Sequence, residues 1–360
     1  MRLILAGGGT FGHVGPLLAT AAELRRRQPD VELRVVGTRE GLEAAMAPAA
    51  GLELVTIPKA PFPRRIDGAA LRFPARWRRA RRLVRALISD FAPDAVVGFG
   101  GYVSPPVYRA AAAARIPVVV HEANARPGLA NRWGARRAAA VAVAFPGTPL
   151  PGAQLVGMPM RRAVAQLNRA EACPAARREL GLDPDRPTLL VAGGSLGAVR
   201  LNQAMSLVAS ELIAAGAQVL HLAGRGKADE LRAALAGVDP ERYRVVEYLE
   251  RMELALAAAD LAVQRAGAAT VAELACAALP AVLVPLAVGN GEQRLNAAGL
   301  VGAGGAVLVE NDEFARWAPG NLAALLTARD RLARMSEAAA TQAIRDGAER
   351  LADLIEAVTA

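Results

Sequence analysis

Short apolar runs alternate along the chain with longer stretches whose apolar residues recur at helical spacing. The first run, Leu3 to Ala6, stops at three glycines, and residues 17–27 beyond them read as a helix. With residues 2–6, the stretches 31–37, 52–57, 95–98, 117–121 and 140–144 form a first set of candidate strands. A second set lies at 188–192, 218–223, 244–247, 261–264, 281–285 and 306–308. Runs of this kind predict strands covered on both faces, and their alternation with Ala-rich helical segments predicts parallel sheets. Between the two sets, Pro146, Gly147, Pro149, Pro151 and Gly152 break the pattern, followed by Gly157 and Pro159. The expected fold class is therefore α/β: two Rossmann-like parallel-sheet domains facing across a cleft, with ligands outside the carboxyl ends of the strands. Residues 330–360 read as a final helical stretch that could cover either domain.

Composition narrows the class. A chain of 360 residues suits two domains, and its 53% hydrophobic content with only 4% aromatics describes an Ala-rich α/β protein. No apolar run reaches the roughly 18 residues of a transmembrane helix, and the first one ends too soon for a signal peptide, so a cytosolic location is expected. Cys173 and Cys276 are far apart and read as reduced thiols. His13, His121 and His221 have no ligand partner at metal-binding spacing, so no protein-held metal is expected.

The net charge of +9 is carried almost entirely by arginine, since Lys59 and Lys227 are the only lysines. Nine arginines fall between Arg64 and Arg85, and Trp77, Val84, Leu87, Ile88 and Phe91 recur there at near-helical spacing. This basic amphipathic helix reads either as a core-facing helix with a solvated back or as a surface for anionic membrane. Nucleic acid is the weakest partner, because no recognition motif accompanies the charge.

Candidate chemistry gathers at strand ends. Gly7, Gly9 and Gly12 satisfy G-x-G-x-x-G, and His13 at the exit could serve as a general base or simply face solvent. Gly193, Gly194 and Ser195 repeat the glycine turn in the second half, as a phosphate cradle or a plain turn. Thr270 and Glu273 have capping-box spacing; alternatively, the Glu273 carboxylate lies where it would accept hydrogen bonds from both hydroxyls of a nucleotide ribose. Glu292 and Gln293 enter another helix with polar side chains suited to sugar hydroxyls. Gly100 to Ser104 and His121 to Asn124 follow first-half strands, so their side chains are expected at the same edge as His13.

Taken in order, Gly8 to His13, Gly100 to Ser104, His121 to Asn124, Gly157 to Arg161, Gly193 to Ala198 and Ala266 to Glu273 resemble the MurG family. These are peripheral-membrane GT-B glycosyltransferases of peptidoglycan synthesis, and the likeness runs from residue 1 to about residue 310. The resemblance implies inverting transfer of N-acetylglucosamine from UDP-GlcNAc to the muramyl C4 hydroxyl of undecaprenyl-diphospho-MurNAc-pentapeptide (lipid I), giving lipid II. It implies no cofactor, an anionic membrane surface at the cytoplasmic face, and other cell-wall proteins as possible partners. It also implies an N-terminal domain 1–160, a UDP-sugar domain 161–335 and a C-terminal helix 336–360 packing back on the first domain. Carried over by motif, Thr10, Phe11, Gly12 and Asn124 line the donor sugar side, with His13 the candidate base. Arg161 and Ser195 hold the diphosphate, and Leu249 borders the uracil. Ala268, Ala269, Thr270, Val271, Ala272 and Glu273 bind uridine and diphosphate, Glu273 on the ribose; Glu292 and Gln293 meet the sugar.

The chain departs from the family pattern at Phe11, usually glycine, at Ala266, usually serine, and at Glu292, glutamine in some members. Three rivals remain at this level. One is a GT-B enzyme acting on another lipid or a secondary metabolite. Another is an NAD(P) oxidoreductase, for which only Glu40 is placed to read a ribose. The third is an Arg-rich membrane or RNA adaptor on a dead transferase fold.

Overall fold

The computed structural model describes residues 1–63, 68–194, 199–286 and 291–360. Ser195 with Leu196, Gly197 and Ala198, Arg64 and Arg65 of the basic cluster, and Gly289 and Asn290 lie outside the described residues. The chain divides into two compact units, Met1–Met160 with Asp346–Ala360, and Arg161–Arg345.

The first unit holds seven parallel strands: β1 (Arg2–Gly7), β2 (Glu32–Gly37), β3 (Glu53–Thr56), β4 (Ala95–Gly100), β5 (Val118–Glu122), β6 (Ala140–Val143) and β7 (Ala153–Leu155). Their order is β3-β2-β1-β4-β5-β6-β7. The apolar runs explain the burial on both faces. Leu3 and Leu5 pack with Leu17, Leu24, Leu351 and Ile355 on one side of the sheet. Ile4 and Ala6, one residue out of phase, pack with Val84, Ile88 and Val107 on the other. The short edge strand β7 lies within the Pro- and Gly-rich passage where no strand is expected. Its three residues are all exposed, and a three-residue segment is too short to show a buried-strand run.

The second unit holds β8 (Thr188–Ala192), β9 (Gln218–Leu222), β10 (Tyr243–Val246), β11 (Leu261–Gln264), β12 (Ala281–Leu283) and β13 (Ala306–Leu308), in the order β10-β9-β8-β11-β12-β13. The final stretch is two helices rather than one. Arg329–Ala340 packs Leu332 and Met335 into the second unit's core, and Gly347–Thr359 packs Leu351 and Ile355 into the first. The change of unit follows the first of these helices. Gly347 sits where a Cβ would come within 2.7 Å of the Met158 carbonyl oxygen, so the crossing strand of chain passes close to backbone.

Candidate active site

In each unit the strand order reverses once, between β1 and β4 and between β8 and β11. Loops leaving the carboxyl ends of those strands diverge there and open a crevice, which is where open α/β sheets bind ligands.

At the first reversal, β1 feeds Gly8, Gly9 and Thr10, and Phe11–Arg27 begins a helix without a side-chain cap. His13 lies half-buried in its first turn and donates from Nδ1 to the Gly8 carbonyl at 3.1 Å. A carbonyl only accepts, so Nδ1 carries the hydrogen and the neutral ring keeps its lone pair on Nε2. Burial lowers the His13 pKa, outweighing Glu122, the Gly8 bond and Glu43, all of which raise it. The ring is thus held in the form that can accept a proton.

Gly100 ends β4 across the crevice, where a Cβ would stand 3.1 Å from His13 Nε2 and 3.2 Å from Asn131 Nδ2. Asn131 donates to Glu122 Oε2 at 3.0 Å, and Glu122 Oε1 accepts from the Asn124 backbone N–H at 2.9 Å. Glu122, at the end of β5, thereby shapes the loop that carries Asn124. Asn131 and Glu43 are site residues that sequence reasoning did not single out. Glu43 accepts from the Gly9 N–H at 2.9 Å, and its signal is the pair Gly37 and Gly41, both of which would clash with it if they bore a Cβ. Its carboxylate occupies a donor that a dinucleotide pyrophosphate would need, and Glu40 is exposed, which disfavours the oxidoreductase reading.

Two expectations change here. His121 does not emerge at the strand edge; it is fully buried, donates from Nε2 to the Gly157 carbonyl at 3.2 Å, and burial drops its pKa to about 4. Ser104 is also fully buried, its hydroxyl 2.7 Å from the Gly100 carbonyl, so it shapes the turn. Phe11 lies along its own helix against Gly15, whose missing side chain makes room for the ring.

At the second reversal, β8 leads to Gly193 and Gly194, and β11 leads through Arg265 and Ala266 to the helix Ala268–Cys276. Gly267 is the N-cap and no side chain caps the helix, so the N–H groups of Ala268, Ala269 and Thr270 have no intrahelical partner. That start excludes the capping-box reading: Thr270 is already inside the helix and Glu273 is in its second turn. Among the described residues no group bonds the Glu273 carboxylate. Burial pushes its pKa up to about 7, with Arg161 opposing and Glu253 adding to the rise.

Arg161 donates to the Glu250 carbonyl at 3.1 Å and pairs with Glu253 at 3.3 Å, its side chain half exposed. Leu249 lies half-buried just beyond β10. Gln293 uses its amide oxygen to accept from the Leu286 N–H at 2.9 Å, and among the described residues nothing accepts from its amide hydrogens. Glu292 opens the same helix, Glu292–Gly302. His221 belongs to a buried chain: Tyr243 donates to its Nδ1 at 2.9 Å and its Nε2 donates to Asn202 at 3.1 Å.

Residues 3–143 match the family model of the glycosyltransferase family 28 N-terminal domain, and residues 188–351 match that of the family 28 C-terminal domain. A relative in Clavibacter michiganensis subsp. michiganensis is 55% identical over 356 residues, covering 98% of this chain and 95% of that protein. It is named UDP-N-acetylglucosamine–N-acetylmuramyl-(pentapeptide) pyrophosphoryl-undecaprenol N-acetylglucosamine transferase. The crystal structure of Acinetobacter baumannii MurG is similar with a TM-score of 0.78 at 28% identity, covering 99% of each chain. A UDP-GlcNAc 2-epimerase from Neisseria meningitidis, solved with UDP-GlcNAc bound, reaches 0.70 at 12% identity, covering 99% of this chain and 100% of that one, a likeness of fold alone.

Proposed function

The chain belongs to the MurG family of N-acetylglucosaminyltransferases, and on that premise we propose that it moves GlcNAc from UDP-GlcNAc to lipid I, giving lipid II. The observation that carries this is identity of 55% over nearly the whole chain. Fold does not, because an epimerase shares it at 12% identity. For the same reason the secondary-metabolite alternative is not favoured: the glycosyltransferase of kitacinnamycin is 18% identical, which speaks only to fold.

In this reading the second unit carries the nucleotide. The uncapped start of Ala268–Cys276 offers Ala268, Ala269 and Thr270 N–H groups to the diphosphate, with Val271 and Ala272 continuing the turn. Glu273 accepts the ribose hydroxyls, Leu249 borders the base, and Arg161 with Ser195 neutralises the leaving diphosphate. Gln293, beside Glu292, gives its free amide hydrogens to the sugar. The first unit supplies Thr10, Phe11, Gly12 and Asn124 on the sugar side, and His13. As the muramyl C4 oxygen bonds to the anomeric carbon, the bond to the UDP oxygen breaks with inversion. His13 Nε2 takes the hydroxyl proton, and the bonding pair leaves with UDP; a base so placed contributes roughly 10²–10⁴ in rate.

The lipid acceptor calls for a membrane-facing surface, and among the described residues no helix is long and apolar enough to cross a bilayer. The helix Gly68–Phe91 supports peripheral docking at its beginning, where Leu71 is 82% exposed and Phe62, Phe73 and Trp77 cluster with ring centroids 5.2–5.7 Å apart. Arg72, Arg76, Arg78 and Arg79, all exposed, lie in the same stretch of the helix. The deciding experiment supplies purified protein with radiolabelled UDP-GlcNAc and either lipid I or a polyprenyl diphosphate lacking MurNAc. Label transfer and UDP release with lipid I alone are expected; equal turnover on both lipids would overturn the acceptor assignment.

A further inference from the structure

One peptide group beside His13 is gripped at both ends. Its N–H, on Gly9, donates to Glu43 Oε2 at 2.9 Å, and its carbonyl, on Gly8, accepts from His13 Nδ1 at 3.1 Å. Glu43 is fully buried, and Thr38 donates to its other oxygen from the backbone N–H at 2.7 Å and from Oγ1 at 2.9 Å. The sequence clears space for this carboxylate: a Cβ on Gly8 would lie 2.4 Å from Oε1, and one on Gly41 would lie 2.1 Å from Oε2. On the far side a Cβ on Gly101 would stand 2.5 Å from the Gly8 oxygen, so only glycine there leaves that carbonyl in place for His13.

We propose that Glu43 is a positioning residue for the transfer, acting through the Gly8–Gly9 peptide to hold His13 with Nδ1 protonated and Nε2 free. The proposal rests on the reading of His13 as the base. A carboxylate on the N–H end polarises the peptide and makes its carbonyl the stronger acceptor, because hydrogen bonds in a chain reinforce one another. The logic is that of a buried carboxylate fixing the tautomer of a catalytic histidine, here with a peptide group between them. Two carboxylates face the ring, Glu43 and Glu122, and each raises its pKa against the stronger effect of burial.

The test uses the full chain with UDP-GlcNAc and lipid I across pH 5–9. Glu43→Gln should lower kcat about tenfold or more, within the ~10²–10⁴ a general base supplies, while the KM for UDP-GlcNAc stays within about twofold. Because one raising charge is gone, the acid limb of kcat should move to lower pH, and ¹⁵N NMR should show His13 losing its preference for the Nδ1–H form. A Glu43→Gln/His13→Gln double variant should be no slower than His13→Gln alone. A folded Glu43→Gln chain with unchanged tautomer and limb, or with a loss that adds to that of His13→Gln, overturns the proposal and leaves the base reading standing. Full activity of His13→Gln sinks the base reading instead, and the tautomer measurement still reports on the Glu43 link. Should Glu43→Gln fail to fold, Glu43→Asp withdraws the carboxylate by one methylene; it should lose kcat and the Nδ1–H preference, and wild-type values for both overturn the proposal.

Discussion

Glu273 combines a high pKa with an unbonded carboxylate, and the pair of properties has a sign that can be measured. Its folded value of about 7 lies above the ordinary 4.5, so the native state holds the proton more tightly than the unfolded chain. Its contribution to stability is therefore full below pH 4.5 and is lost as pH rises from there to about 7. Ribose hydroxyls donate to the ionised form, so UDP binding below pH 7 should release a proton. Calorimetry at pH 6 in two buffers of different ionisation enthalpy should detect that release, and Glu273→Gln should abolish it. Glu273→Ala should raise the donor KM about 10- to 100-fold, the equivalent of a charge-assisted contact of ~1.5–3 kcal/mol. Equal proton release by parent and Gln variant would remove Glu273 from the ribose. Sequence spacing alone could not separate ribose ligand from capping box, because the helix start at Ala268 depends on a turn that the pattern does not mark.

The helix Gly68–Phe91 shows how one periodicity can serve two ends. Val84, Leu87, Ile88 and Phe91 join the core on one face of the first sheet, as a core-facing helix requires. Earlier in the helix, Leu71 and the Phe62, Phe73 and Trp77 cluster stay at the surface among arginines. Farther along, Arg81 has its pKa lowered by burial and by the nearby Arg85 and Arg109. Each basic group near an anionic surface contributes about 1 kcal/mol, less as salt rises. Replacing Arg72, Arg76, Arg78 and Arg79 with Gln should weaken binding to phosphatidylglycerol vesicles and slow turnover of full-length lipid I. Turnover of a short-chain soluble acceptor should persist. Vesicle binding equal to the parent's, measured by co-sedimentation at low salt, would move the docking surface elsewhere.

At the scale of the whole chain, the strands were the legible part: twelve apolar runs correspond to twelve of the thirteen strands, because strands covered on both faces must be apolar throughout. β7 escaped because it is exposed and only three residues long, and Glu43 because its bond to the Gly9 N–H spans 34 residues, which no local spacing marks. The last turn of chain was legible as helix but not as two, since the break at residues 341–346 has no proline to announce it. That break matters for stability. Gly347–Thr359 returns to the first unit and buries Leu351, Ala352 and Ile355 completely against Leu3, Leu17 and Leu24. Arg27 fastens it, pairing with Asp353 at 2.5 Å and Glu356 at 3.2 Å while also bonding Glu23. Bonds from Arg26, then Arg27, hold the Glu23 pKa down to about 2 against burial, so this network's support is lost as pH falls from about 4.5 towards 2. Burying Leu351 and Ile355 alone contributes about 3–6 kcal/mol, a large part of the roughly 5–15 kcal/mol that holds a domain. A chain ending at Arg345 should therefore lose amide protection in β1 and β4 while β8 and β11 keep theirs. Hydrogen exchange read strand by strand checks this, and undiminished protection of β1 would show that the first unit stands without its returning helix.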